Sequence, residues 1–371
     1  MTAKSARDNR KQYGAEIATS MEQASNIGDT RKLYQLTRQV SGNPSTRSDS
    51  VRDVNGGFIA GNSAKVECWR EHFEHYLNFD TQPTSPLLSS SAEFLPYPTY
   101  AVPCDPPPKG EVVDIIRKLR HNKAPGEDGI PAEIFKSCVG TLAPWPHEVI
   151  EQAWRNEVAL DEWSLGILVP ILKKGDKTRC GNYLGISLID VAAKIFLIVL
   201  LRRFQAVRDS GTRPNQAGFR ARRGCADQMF TLRRILKFHH SYQQPSTVCF
   251  VDVAAAFDSI HHESLWRIMI LDGVPPKIIV MIKAYYRSTT VRVLVPNNLS
   301  QPLGIRFGVR QGCILSPNLF KYAIDWILGK TLHEVDGLEF APGHRLTDLD
   351  YAEDIALFDS GFGDLQPMVS R

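Results

Sequence analysis

Leu346-Thr347-Asp348-Leu349-Asp350-Tyr351-Ala352-Glu353-Asp354-Ile355-Ala356-Leu357-Phe358 is the stretch on which the fold turns. Two short β-rich arms flank the tip Tyr351-Ala352-Glu353-Asp354, so the sequence predicts a hairpin whose turn projects adjacent carboxylates. Neighbouring carboxylates repel each other, and a hard divalent cation with oxygen ligands removes that cost. Acidic residues are common in turns, so this pattern alone decides little.

Its counterpart lies upstream, in Thr247-Val248-Cys249-Phe250-Val251-Asp252-Val253-Ala254-Ala255-Ala256-Phe257-Asp258. Here an apolar strand delivers Asp252 at its C-terminal end. A buried strand has no structural need of a carboxylate, which points to metal binding or proton transfer. The alternative is a helix N-cap, for which Asp258 and Ser259 are better placed, ahead of a helical pattern over Ser259–Leu271. One strand-end carboxylate plus a carboxylate pair at a hairpin is what two-metal phosphoryl transfer requires.

A third segment lies between them, Phe307-Gly308-Val309-Arg310-Gln311-Gly312-Cys313-Ile314-Leu315-Ser316-Pro317-Asn318-Leu319-Phe320. Gly312 allows close backbone approach, and Ser316-Pro317 reads as an N-cap followed by a first-turn proline. Leu319, Phe320, Ala323, Ile324 and Ile327 then form the expected core face of a helix.

In that order the three segments resemble the palm motifs of reverse transcriptases from non-LTR (LINE-like) retrotransposons. Lys123-Ala124-Pro125-Gly126, Val169–Lys174 with Asn182-Tyr183, and Asn215-Gln216-Ala217-Gly218-Phe219-Arg220 resemble the preceding motifs of that family. The resemblance runs from about Trp69 to the C-terminus and implies an RNA-directed DNA polymerase acting on RNA template, DNA primer and deoxynucleoside triphosphates. It implies that Asp252, Glu353 and Asp354 hold two Mg²⁺ ions, or Mn²⁺ in their place. Phe257 would gate against a ribose 2′-hydroxyl. Gln311 and Gly312 would line the nucleotide pocket with Arg310 beside it, and Lys173 or Lys174 would meet the triphosphate. Arg220, Arg222 and Arg223 would face the template.

The chain departs from the family at Glu353, where the family has aspartate, and at Leu184, where it has a phosphate-gripping arginine. It also stops at Arg371, inside the helix expected after the hairpin and short of the further palm motifs and thumb. Each departure predicts very low primer extension. A silent relic that retains weak nucleic-acid binding is the competing expectation.

The expected fold is α+β: right-hand polymerase fingers and palm, the palm a small antiparallel sheet backed by helices. The expected divisions are an N-terminal helical and hairpin extension over 1–79, a linker over 80–110, fingers over 111–246 and palm over 247–371. The linker carries eight prolines and the run Ser89–Ser91. Strands are predicted over Ile167–Leu172 and Val248–Val253, a helix over Asp190–Val207, and a hairpin around Pro296-Asn297-Asn298.

Apolar content of 43% and charged content of 23% in 371 residues suit a globular chain rather than a disordered one. The net charge is only +4, but ten basic residues face two acidic ones from Arg202 to Lys237, the footprint of a polyphosphate partner. Seven cysteines without a CxxC pair, and a polar start, suggest an intracellular protein that is not secreted. No apolar run reaches the ~20 residues that span a bilayer, so no membrane association is expected. The oligomeric state is not legible.

Overall fold

In the computed structural model, the described residues are 2–27, 50–53, 55–78, 104–211, 213–253, 255–295, 298–333, 336–341 and 343–370, with 29, 32 and 36. Most of the 80–110 linker and the 296–297 hairpin tip lie outside them. The described strands are β1 (Val51–Arg52), β2 (Phe58–Ile59), β3 (Leu165–Leu172), β4 (Tyr183–Leu188), β5 (Thr247–Asp252) and β6 (Thr290–Val295). They continue with β7 (Asn298–Leu299), β8 (Leu303–Gly304), β9 (Leu338–Ala341), β10 (His344–Leu346), β11 (Asp348–Tyr351) and β12 (Asp354–Asp359).

The architecture is α+β. One sheet has the order β4-β3-β6-β7, with β8 on β6, and the other is antiparallel with the order β11-β12-β5. β3 and β6 each alternate buried with half-buried residues over most of their length, the pattern of strands covered on one face. β6 runs parallel to β3, with Leu168 opposite Val293. That long-range pairing brings a strand from beyond β5 into the sheet built by β3 and β4.

β12 is the central strand of the second sheet and is buried from Ile355 to Asp359, which explains its unbroken apolar run. On one face Cys249, Val251, Ile355 and Leu357 pack into the main core with Leu365 and Met368 of the helix Phe362–Ser370. On the other face Val248, Ala356 and Phe358 pack with Leu232 and Ile235 of the helix Cys225–Ser241. The helix Val191–Gly211 is apolar nearly all round because it runs through that main core, where Ile195, Phe196, Leu197, Val199 and Leu200 are fully buried.

Several local expectations are corrected. The helix after Asp252 begins at His262, not Ser259, and the ring of His261 caps it by accepting from the Ser264 N–H. The helix Ser316–Thr331 has Leu315 at the N-cap position; Ser316 is its first helical residue and its buried hydroxyl meets the Tyr286 hydroxyl at 3.2 Å. Ile327 lies on the outer side of that helix, and Leu328 takes the core position in its place.

Candidate active site

Antiparallel register does most of the work of assembling the site. Asp354 at the start of β12 is the direct partner of Asp252 at the end of β5. Cα atoms so paired lie about 4.5–5.5 Å apart and their side chains share one face. Both side chains are exposed, and that face is the one carrying Val248 and Phe250; Phe250 is itself 72% exposed. Tyr351 pairs with Asp354, so Ala352 and Glu353 form a two-residue turn between β11 and β12. Ala352 has φ +59°, and Glu353 is not among the positive-φ residues. A left-handed first central residue alone is the mark of a type II′ hairpin turn, a position that favours glycine. Among the described residues no hydrogen bond or ion pair engages the carboxylates of Asp252, Glu353 or Asp354, and no three acidic, imidazole or thiol side chains are gathered so that they could hold a metal ion.

Next to this hairpin the Gly308–Gly312 loop is stitched to the turn after β5. The Val309 N–H donates to the Phe257 carbonyl at 2.7 Å, and the Gly308 N–H to that of Ile260 at 2.8 Å. Gly312 has φ +102°, and a Cβ there would lie 2.5 Å from the Ser187 carbonyl oxygen, so only glycine lets the loop close onto β4. Gln311 is held on the same strand, its carbonyl accepting from the Ser187 N–H at 2.8 Å. Phe257 is half-buried and stacks on Phe320 with ring centroids 4.6 Å apart; Phe219 meets its edge at 6.0 Å. Arg310 sits one residue before Gln311 but is only 4% exposed, donating to the Thr289 hydroxyl at 2.9 Å and lying over the Tyr285 ring. Lys173 and Lys174 are exposed just past the end of β3. Leu184 on β4 pairs with the exposed Ile171, so position 184 opens onto solvent on that face.

Asp258 is not a helix cap. It is 8% exposed, and burial pushes its carboxyl up to about 6 against the opposing effect of the Tyr76 hydroxyl. A folded value above the unfolded ~3.9 means a contribution fully present below about pH 4 and lost as pH rises through about 6. Asp258→Asn should therefore stabilise the chain by about 1–3 kcal/mol at pH 7.5 and leave it unchanged near pH 4. Urea titrations at the two pH values read this directly, and an equal effect at both would refute it.

The basic stretch resolves into two groups. Arg202 and Arg203 pair with Glu111 at 3.6 and 2.5 Å, and Arg213 pairs with Asp348 and Asp350 at 2.6 and 3.2 Å. Arg220 donates to the carbonyls of Arg213 and Gln216. Arg222, Arg223, Arg233, Arg234 and Lys237 remain exposed. The footprint is therefore narrower than the count of cations suggests.

Sequence reading missed the support beneath the hairpin. Asp348 and Asp350 alternate with Leu349 on β11 and so point to the opposite face from Asp252 and Asp354, into the helical core, where both are fully buried. Burial and the charge of Asp348 push Asp350 up. Burial works against ionisation of Asp348, yet its hydrogen bond with Asp350 and the Arg213 charge hold it low. Two aspartates at i and i+2 in an apolar strand were the available signal.

With this geometry in place, the decisive comparison is that residues 171–369, more than half of the chain, match the reverse transcriptase (RNA-dependent DNA polymerase) family. The chain belongs to that family. Over 257 residues it is 28% identical to the transposon TX1 uncharacterized 149 kDa protein of Xenopus laevis, covering 69% of this chain and 20% of that protein. Over 334 residues it is 25% identical to the RNA-directed DNA polymerase from mobile element jockey of Drosophila melanogaster, covering 87% and 36%. This reverse-transcriptase chain thus spans well under half the length of these curated relatives. Set against apo telomerase from Candida tropicalis truncated from its C-terminal domain, the chain gives a TM-score of 0.41 at 14% identity over 60% of this chain and 51% of that one. The non-LTR resemblance read from the motifs agrees with these relatives. No helix among the described residues is long and apolar enough to cross a membrane.

Proposed function

We propose that this chain is the nucleotidyl-transfer core of an RNA-directed DNA polymerase from a LINE-like element, joining deoxynucleotides to a primer 3′-hydroxyl on an RNA template. The observation that carries this reading is the register of Asp252 with Asp354, beside a turn bearing Glu353. With it goes a division into fingers over 111–246 and palm over 247–371, except that β6, β7 and β8 join the sheet of β3 and β4.

The donor chemistry is that of Mg²⁺, or Mn²⁺, hard carboxylate oxygens, although among the described residues the three side chains are not gathered into a ligand group. Asp252, Glu353 and Asp354 would hold two ions, which when bound activate the 3′-hydroxyl and stabilise charge on the phosphorus. Phe257, fixed by its stack on Phe320, would sit under the sugar and exclude a 2′-hydroxyl. Gln311 and Gly312, packed flush against β4, would line the nucleotide pocket. Lys173 or Lys174 would meet the triphosphate from the far side. Arg222 and Arg223 reach the template, with Arg220 ordering the loop that carries them. Arg310 would act from behind, packing the pocket rather than touching the nucleotide.

The test is primer extension on an RNA template with Mg²⁺ and deoxynucleotides, in which any extension must vanish on Asp252→Asn. A second reading, a silent relic with residual nucleic-acid binding, is favoured by Glu353 and Leu184. Leu184→Arg separates the two. Position 184 opens to solvent, so an arginine there can donate charge-assisted hydrogen bonds to phosphate. It is expected to lower KM for the deoxynucleotide about tenfold to a hundredfold with kcat little changed. A KM that does not move would exclude position 184 from the triphosphate site.

A further inference from the structure

Gln216 is fully buried, which is unusual for glutamine, and both ends of its amide are committed to one residue of the β11–β12 turn. Its Oε1 accepts from the Ala352 N–H at 3.0 Å and from the Gly218 N–H at 2.7 Å. Its Nε2 donates to the Ala352 carbonyl at 3.3 Å. Ala352 is the left-handed residue of that turn, and an alanine held at φ +59° relaxes unless its surroundings prevent it.

The loop that carries Gln216 is itself fixed to the strand leading into the turn. The Ala217 N–H donates to the Asp350 carbonyl at 2.9 Å, and the Asp350 N–H to that of Asn215 at 3.2 Å. The Gln228 side chain ties both carbonyls together from the helix Cys225–Ser241, at 2.7 and 3.1 Å. Gly218 lies so close that a Cβ there would be 2.2 Å from the Ala352 nitrogen. The loop and the turn therefore meet backbone to backbone, with one side-chain amide filling the seam.

We infer that Gln216 is a positioning residue that clamps Ala352 in its left-handed conformation and thereby aims Glu353 and Asp354 at Asp252. The consequence for metal binding rests on the polymerase reading; the clamp itself does not. Gln216→Met keeps the volume and removes every hydrogen bond. Gln216→Glu is isosteric, keeps the acceptor and loses the donor to the Ala352 carbonyl.

Amide hydrogen exchange on the 371-residue chain should rise about tenfold to a hundredfold at residues 351–354 in Gln216→Met, the range for leaving a buried donor unpaired. Gln216→Glu should rise less, and the helix Ser316–Thr331 should not change in either. Mn²⁺ affinity, followed by electron paramagnetic resonance with Asp252→Asn as control, should weaken in the same order. Adding Ala352→Gly to Gln216→Met should recover part of that affinity, since glycine adopts φ > 0 without strain. General loss of stability would not be repaired in this way.

Unchanged exchange at 351–354 in both variants overturns the clamp. Unchanged Mn²⁺ affinity in the variants, with the unsubstituted chain sensitive to Asp252→Asn, overturns its role in aiming the carboxylates. Loosened exchange together with Mn²⁺ binding indifferent to Asp252→Asn leaves the clamp standing and removes the metal reading. If near-UV circular dichroism shows that Gln216→Met does not fold, Gln216→Glu decides the matter alone.

Discussion

Replacing Glu353 by aspartate is expected to raise primer extension about 100-fold, and Asp252→Asn in that background should return it to zero. Asp354 is fixed opposite Asp252 by strand register, so its backbone has little freedom to shift. Glu353 occupies the second central position of a two-residue turn, whose backbone is closed by the Tyr351–Asp354 pair and clamped at Ala352 by Gln216. Its extra methylene therefore cannot be absorbed by moving the backbone, and the carboxylate is carried roughly one bond length past the place an aspartate would reach. A misplacement of ~1 Å is enough to cost on the order of 100-fold in rate. The measurement is single-nucleotide incorporation at saturating Mg²⁺, which separates chemistry from processivity. If Glu353→Asp changes incorporation less than about threefold, position 353 does not limit the reaction as described. Extension that survives Asp252→Asn would remove the polymerase reading itself.

What could be read from the sequence was whatever local chemistry and spacing determine. The carboxylates at a two-residue turn and the glycine at 312 each announce a local geometry that the fold shows, whereas the strand ending at Asp252 is half-buried to exposed and not the buried strand its apolar run suggests. Pairings across long stretches of chain were not legible. The apolar pattern of β6 identifies a strand but not that it lies parallel to β3. The cation count from Arg202 to Lys237 could not reveal that Glu111, Asp348 and Asp350 had already taken three of the guanidinium groups. Charge in a sequence is additive, whereas charge on a surface is what remains after folding has paired it. Asp258 and Ser316 failed for a related reason. Both are good capping residues, and both lie in the interior, Ser316 with its hydroxyl against that of Tyr286.

The buried ion cluster behind the hairpin carries the largest stability effect. Arg213→Met should destabilise the chain by about 3–5 kcal/mol near pH 7.5, the usual cost of removing one partner from a buried pair. Asp348 and Asp350 have no exposed surface, and Arg213 is their ion-pair partner at 2.6 and 3.2 Å. Asn215 also donates to Asp348 at 3.1 Å, but a neutral amide cannot replace the charge. The pH dependence has a definite sign. In the unsubstituted chain Asp348 is held low, so its contribution is present above the unfolded ~3.9 and is lost as pH falls below it. Without Arg213 both carboxyls are pushed up by burial, and the penalty applies only where they must ionise. The difference between the two chains should thus be largest at neutral pH and shrink towards pH 4.5. Urea unfolding at both pH values reads it, and a loss below about 1 kcal/mol, or one independent of pH, would refute the account. Adding Asp348→Asn and Asp350→Asn to Arg213→Met should recover most of the loss, because a neutral network leaves no buried charge uncompensated. That recovery should also restore slow hydrogen exchange at Asp350 and Tyr351, which tie the cluster to the carboxylates on the opposite face of the sheet.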